Sequence, residues 1–230
     1  MSGEACLLLR LEGPLQSWGY RSRFKDRDTG TEPTKSGVVG LLCCALGRDR
    51  SESVDDLARL RMHVRVDQEG VLLTDFHTAG GGTFRASEQY FAPTSAGGKG
   101  RNPIITERHY LQDASFLVAL EGDRALLLAL AKALQDPVWP LSLGRRSCPP
   151  SFPVAVGIRE VDFLSALGAE PLTELRRSPE EPTKRRLVRE LPQGSFDGDP
   201  RQDVPVAWPD RQNRRYAIRY VRSEEVEVRP

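Results

Sequence analysis

Three short stretches of this sequence carry residues fit to grip phosphate: GTEPTKSG (30–37), TERHYL (106–111) and LGRRSCPPS (143–151). The first has the outline of a phosphate loop. Thr34, however, stands where the glycine before the lysine is required, and Pro33 removes a backbone amide, so no nucleoside triphosphate cradle is expected. What remains is Lys35 and Ser36 at the start of a helix, where unpaired amides and a lysine suit a single backbone phosphate; an ordinary capped helix is the alternative. In the second stretch Arg108, His109 and Tyr110 are consecutive on a predicted strand, so Arg108 and Tyr110 share one side and His109 faces away. That arrangement suits stacking and phosphate contact better than a paired acid and base. In the third, Arg145 and Arg146 sit in a turn stiffened by glycine and proline, where two guanidinium forks either take phosphate oxygens or form a solvated basic turn.

Other candidate chemistry is weaker. His63, His77 and His109 fall on predicted strands or their ends, without a nucleophile elbow or HxxxH or HExxH spacing, and read as ordinary strand histidines. Cys6, Cys43, Cys44 and Cys148 show no CxxC spacing, so neither a disulfide framework nor a zinc site is expected, and no cofactor is implied. KRRLVRE (184–190) is basic, but Glu180, Glu181 and Glu190 surround it, and it reads as a solvated face or partner contact. LEGPLQSWGYRSRF (11–24) spends Trp18 on a turn between Gly13 and Gly19, with Arg21 and Arg23 following. A tryptophan so placed either wedges against the core and sets the loop or is left for contact outside the chain.

These residues need a scaffold, and the pattern supplies one. Cys6 to Leu11 is a continuous apolar run broken only by Arg10, as in a strand buried on both faces. TKSGVVGLLCCALG (34–47) has helical spacing, an N-cap and a glycine stop. SVDDLARL (53–60) reads as a short second helix, after which RMHVRVD alternates and is expected to pair through DQEG with VLLTDFHT. PIITERHYL and SFLVALE read as strands. Asp123 caps RALLLALAKALQ, with Leu126, Leu127, Leu130 and Leu134 on one stripe, and PVAVGI (153–158) offers another strand. The series is α+β, a decorated ferredoxin-like or RRM-like arrangement. A glycine-rich insertion (78–103), a proline- and charge-rich loop at about 178–214 and a closing hairpin, YAIRYVRSEEVEVRP, are added to it.

The totals bound the function. Lysine plus arginine number 33 and aspartate plus glutamate 32, a formal charge of +1, so any RNA or DNA site is local. With 39% hydrophobic residues in 230, the chain can bury a real core. Glu4 and Arg10 make the N-terminal apolar run too short and too charged for a signal or a membrane span, so a cytoplasmic protein with no membrane partner is expected.

Five blocks, LRLEGPLQSWG (9–19), PTKSGVVGLL (33–42), TDFHT (74–78), TERHYLQDASFLVAL (106–120) and LGRRSCPPS (143–151), resemble the CasD family of type I-E CRISPR Cascade subunits. The resemblance implies a modified ferredoxin-like/RRM-like domain over 1–165 with an inserted thumb hairpin at about 78–111. A C-terminal β extension, 166–230, would pack on the same domain. It further implies a non-catalytic, antiviral-defence subunit that caps the 5′ handle of the CRISPR RNA and contacts the Cascade backbone and large subunits, meeting target DNA only indirectly. The RNA-binding residues would then be Arg21, Arg23, Lys35, Ser36, Arg108, Tyr110, Arg145 and Arg146, because single strands are held by flat side chains and cations together. Arg85, Lys99 and Arg101 join them on the thumb by composition alone, and Phe76 stands where a tyrosine is common in the family. The alternative is a metal-independent endoribonuclease that cleaves the repeat, as relatives in type I-C systems do, with His109 and Tyr110, or His77, activating the 2′-hydroxyl and protonating the leaving oxygen.

Overall fold

The computed structural model describes residues 5–20, 25–80, 83–85, 88–89, 92–93, 98–100, 103–173, 183–206 and 215–228. In chain order its elements are β1 (Cys6–Glu12), β2 (Leu15–Gln16), β3 (Asp26–Arg27), α1 (Lys35–Leu46), α2 (Asp55–Ala58), β4 (Arg61–Gln68), β5 (Val71–Ala79), β6 (Thr83–Arg85), β7 (Glu88–Gln89), β8 (Ala92–Pro93) and β9 (Lys99–Gly100). They continue with β10 (Ile104–Gln112), β11 (Ser115–Glu121), α3 (Arg124–Gln135), β12 (Ala155–Arg159), α4 (Phe163–Ala169), β13 (Lys184–Glu190), β14 (Asp199–Val206) and β15 (Arg215–Glu227).

The unbroken apolar run of β1 has a direct cause. Leu7, Leu9 and Leu11 join one buried cluster and Cys6 and Leu8 another, so the strand has no solvent face. It lies inside a seven-stranded antiparallel sheet of order β12-β1-β11-β4-β13-β15-β14. On one side α1 and α3 cover the sheet, with Leu127, Leu130 and Leu134 of α3 buried against it and Leu126 at the margin. On the other side α4 packs through Ala166 and Leu167 onto Leu8, Leu117, Ala119 and Leu187. Helix α1 starts where its sequence directs: Thr34 Oγ1 accepts from the Gly37 amide, and Gly47 takes the left-handed conformation (φ 71°) that ends it.

The expected hairpin of RMHVRVD with VLLTDFHT does not form. Both edges of β4 are occupied, by β11 and by β13, which leaves no partner position for β5. At Gly70, which lies close against Ala114 and Leu111, the chain leaves the main sheet. β5 then pairs along its whole length with β10, from Val71 opposite Gln112 to Ala79 opposite Ile104. The result is an arm whose stem spans both of these nine-residue strands, so it begins before residue 78. β2 and β3 attach to β10 at its base, and the small pairs β6-β7 and β8-β9 lie between β5 and β10 in the chain.

Three further expectations change in the C-terminal part. KRRLVRE is not a solvated face: it is β13, inside the sheet, with Leu187 and Val188 buried and Arg185 nearly so. The described residues of the supposed loop at 178–214 include β13 and β14, joined through residues 191–198, and the expected closing hairpin is a single long strand, β15, paired to both. Helix α4 was not anticipated. It explains why the polar residues of β4 are buried: the ring of His63 stacks on Phe163 at 3.7 Å. Arg65, fully buried, donates to the carbonyls of Leu167 and Glu170 and to Asp67. A guanidinium at the C-terminal end of a helix satisfies its last carbonyls and meets the negative end of its dipole.

Candidate nucleic-acid interface

At the base of the arm, strand register sorts charge. β3 pairs in parallel with β10, setting Arg27 beside Arg108 and Asp26 beside Glu107. Because successive strand residues alternate faces, the two arginines fall on one side and the two carboxylates on the other. Tyr110 shares the arginine side, and His109 faces away, its Nδ1 2.9 Å from Thr74 Oγ1. Asp75 lies opposite Arg108 in the register, but its carboxylate is 3.6 Å from His77 Nδ1. Arg108 is half-buried, its Nε donating to Thr106 Oγ1, while Lys25, Arg27 and Arg146 are exposed. Among the described residues none of these four cations has a carboxylate within ion-pair distance. In contrast, Lys35, Arg48, Arg65, Arg186 and Arg219 each sit on one.

The Arg145–Arg146 turn is pressed against this base. Gly144, at φ 87°, places its α-carbon where any Cβ would stand 1.8 Å from the Ser17 carbonyl oxygen, so only glycine fits. Arg145 reaches inward from the turn: it donates to the carbonyls of His109 (3.1 Å), Arg27 (2.6 Å) and Asp28 (3.2 Å), and its Cζ lies 4.7 Å over the Tyr110 ring. Tyr110 is thereby buried, and its covered face cannot serve as a platform for a base. Arg146 points to solvent.

The helix start at Lys35 behaves differently from the phosphate site its sequence suggests. Lys35 is 4% exposed and its ammonium is 2.7 Å from Glu190, while the Lys35 amide donates to Asp203 (2.8 Å). Arg219 completes the cluster, bidentate on Asp203 and 3.1 Å from Glu190. The anion at this helix N-terminus is therefore the protein's own Asp203, and the Lys35 ammonium is taken by Glu190. Burial pulls the Lys35 ammonium below the ordinary lysine pKa, with Glu190 opposing. Ser36 is half-buried beside Thr34.

Trp18 is 1% exposed, packed on the first turn of α1 at Gly37, with Nε1 donating to Gln16 Oε1 (3.0 Å) and its backbone amide to Thr29 Oγ1 (2.8 Å). A ring so placed sets the loop and has no face for a base. Arg21, Arg23 and Arg101 lie outside the described residues, while Arg85 sits on β6 and Lys99 on β9. What sequence reasoning missed is the pair Lys25 and Arg27, recruited by a parallel bridge that no local pattern encodes, and the exposed apolar residues of the arm, Val71, Leu72, Leu73, Phe76, Ile104 and Ile105.

Comparison with known proteins gives the family. A family model described as CRISPR-associated protein (Cas_Cas5) matches residues 6–222. The chain belongs to this CRISPR-associated family. It is 39% identical over 166 residues to the CRISPR system Cascade subunit CasD of Escherichia coli (strain K12), covering 66% of this chain and 70% of that one. Among solved structures, a CRISPR RNA-guided surveillance complex contains a chain similar at TM-score 0.80 and 36% identity, covering 97% of this chain and 90% of that one. A crystal structure of a Cas protein is similar at TM-score 0.72 and 42% identity, covering 96% and 95%. The resemblance to the CasD family read from the five sequence blocks is thus supported over 166 aligned residues, and the broader family match extends over residues 6–222.

Proposed function

We propose that this chain is a non-catalytic, RNA-binding subunit of a CRISPR Cascade surveillance complex of type I-E, acting in the cytoplasm and holding the 5′ handle of the CRISPR RNA at the base of its arm. The observation that carries this reading is that Arg27 and Arg108 share one side of the arm base, with Lys25 exposed next to Arg27 and Arg146 exposed in the adjoining turn, and that among the described residues none of the four has a carboxylate within ion-pair distance, in a chain of formal charge +1. Cations left unpaired on a nearly neutral protein are available to an external polyanion. The arm also exposes apolar side chains on both sides, Leu72, Phe76 and Ile105 on one and Val71, Leu73 and Ile104 on the other, which suits a protein neighbour such as a backbone subunit. The rest of the surface would meet the large subunit, and target DNA would be reached only through the complex. The connection β1-α1-β4 and β11-α3-β12, with strand order β12-β1-β11-β4, supports the modified ferredoxin-like or RRM-like reading of the core.

The non-catalytic half of the proposal rests on the placement of the groups an endoribonuclease would use. His109 and Tyr110 point to opposite sides of β10, and Tyr110 is buried under Arg145. Such a reaction needs an acid and a base on the same phosphodiester. The proposal is tested by binding of a single-stranded RNA with the repeat-derived 5′ sequence over a salt series. Arg108→Ala and Arg146→Ala should each flatten the dependence of log K on log salt by roughly 0.7 for each phosphate that is no longer neutralised. Slopes equal to that of the parent protein would count against the site, and a single metal-independent cut in repeat RNA, abolished by His109→Ala, would establish the nuclease instead.

A further inference from the structure

Between the bridge to β3, at Glu107 and Arg108, and the bridge to β2, at Leu111 and Gln112, the outer edge of β10 has no strand beside it among the described residues. The carbonyl of His109 lies in that gap. It accepts instead from two side chains, the Ser17 hydroxyl at 3.2 Å and Arg145 Nη1 at 3.1 Å. The other guanidinium nitrogen, Nη2, holds the carbonyls of Arg27 and Asp28. One planar group thus ties together β10, the end of β3 and, through its own backbone, the 143–148 turn. That turn is closed by Leu143 N to Cys148 O (2.7 Å) and bonded to Ser17 N through Leu143 O (3.1 Å). The Tyr110 ring supports the guanidinium plane from below. Three of its donor positions are taken by backbone carbonyls, and its planar fork is what matches acceptors on two different segments.

We propose that Arg145 is a positioning residue and not a phosphate contact: it replaces the missing stretch of strand beside His109 and so fixes the spacing between the cations of β3 and those of β10 and the turn. This rests on the RNA-binding reading for its purpose, though not for its geometry. Arg145 and Arg146 then divide the labour of their motif, the first holding the arm base and the second facing the RNA. Lysine cannot substitute at 145, because a point donor spans at most one of the two segments.

The test uses the full chain in two measurements. In RNA-free protein, amide hydrogen exchange at 25–29 and 107–110 should quicken about tenfold in Arg145→Ala and remain at the parent rate in Arg146→Ala, since local opening follows the hydrogen bonds removed. Arg145→Lys and Arg145→Gln, each able to reach only one of the two segments, should fall between the parent and Arg145→Ala, and they cover the case in which the alanine variant does not fold. With the repeat-derived single-stranded RNA as probe, Arg146→Ala should flatten the salt slope by roughly 0.7, the value for one neutralised phosphate on a single strand. Arg145→Ala should flatten it by more, because several cations lose their places together. Unchanged exchange in Arg145→Ala overturns the proposal, whether its slope falls by the amount for one phosphate, which would make it an ordinary phosphate ligand, or does not fall at all. If neither Arg108→Ala nor Arg146→Ala alters the slope, the RNA-binding reading fails, and the exchange rates still decide the role of Arg145.

Discussion

Replacing Lys35 separates two opposed readings of one residue. In the structure its ammonium is 2.7 Å from Glu190, with side chains only 5% and 8% exposed. At that distance and an effective dielectric constant of about 20, the attraction is roughly 6 kcal/mol before desolvation is subtracted. Removing one partner of a buried pair typically costs about 3–5 kcal/mol, because the other charge is left buried. Here Arg219 Nη1 remains 3.1 Å from Glu190, which places Lys35→Met near the lower end, about 3 kcal/mol. For a chain of this size that corresponds to a fall in Tm of about 6–12 °C. Urea denaturation should show a lower midpoint with an unchanged m-value. Binding of the repeat-derived RNA, measured well below the new midpoint, should keep the parent salt slope. A Lys35→Met protein of parent stability that loses RNA affinity with a flattened slope would refute the structural assignment and restore Lys35 as a phosphate ligand.

Other outcomes follow from the same geometry. Gly144→Ala forces a methyl into the Ser17 carbonyl at a left-handed backbone position, so it should lower stability by about 2–3 kcal/mol and weaken RNA binding, both readable by denaturation and by titration. Arg65→Met should cost about 3–5 kcal/mol by stranding the buried Asp67, and Arg65→Met with Asp67→Leu should recover much of it in the same urea assay. Burial holds His63 below its ordinary pKa of 6.5, against the pull of Glu121. The unfolded chain then binds the extra proton first, so stability falls as pH drops below 6.5, by at most about 1.4 kcal/mol per pH unit. His63→Phe should make denaturation midpoints between about pH 6.5 and 5 less pH-dependent than in the parent.

The core of the fold was legible because its signals are local. The run Cys6 to Leu11, the capped helices at Thr34 and Asp123 and the strand Ser115–Glu121 each carry their pattern within a few residues of themselves. Strand partners were less so. Nothing near RMHVRVDQ reveals that its edges are taken by residues 115–121 and 186–188, and without that knowledge a hairpin with the next strand is the natural reading. The polar alternation of that strand does not reveal its burial either, since His63, Arg65 and Asp67 are polar yet buried, with His63 on Phe163 and Arg65 on the last carbonyls of α4. At the candidate site, type and spacing single out Arg108 and Arg146, and among the described residues neither has a carboxylate within ion-pair distance. Lys35 could not be told from a ligand, because its partners Glu190 and Asp203 are 155 and 168 residues away in sequence. The inward turn of Arg145 likewise depends on a gap between two bridges, a feature of tertiary pairing alone.

The most direct test of the central claim is ultraviolet crosslinking of the complex purified with this chain from its own cells, with the crosslinked peptides identified by mass spectrometry. A short RNA of uniform 5′ end, crosslinked to this chain within 25–28, 104–112 or 144–148, is the predicted result. An assembled complex in which the RNA crosslinks to other subunits and never to this chain would contradict it.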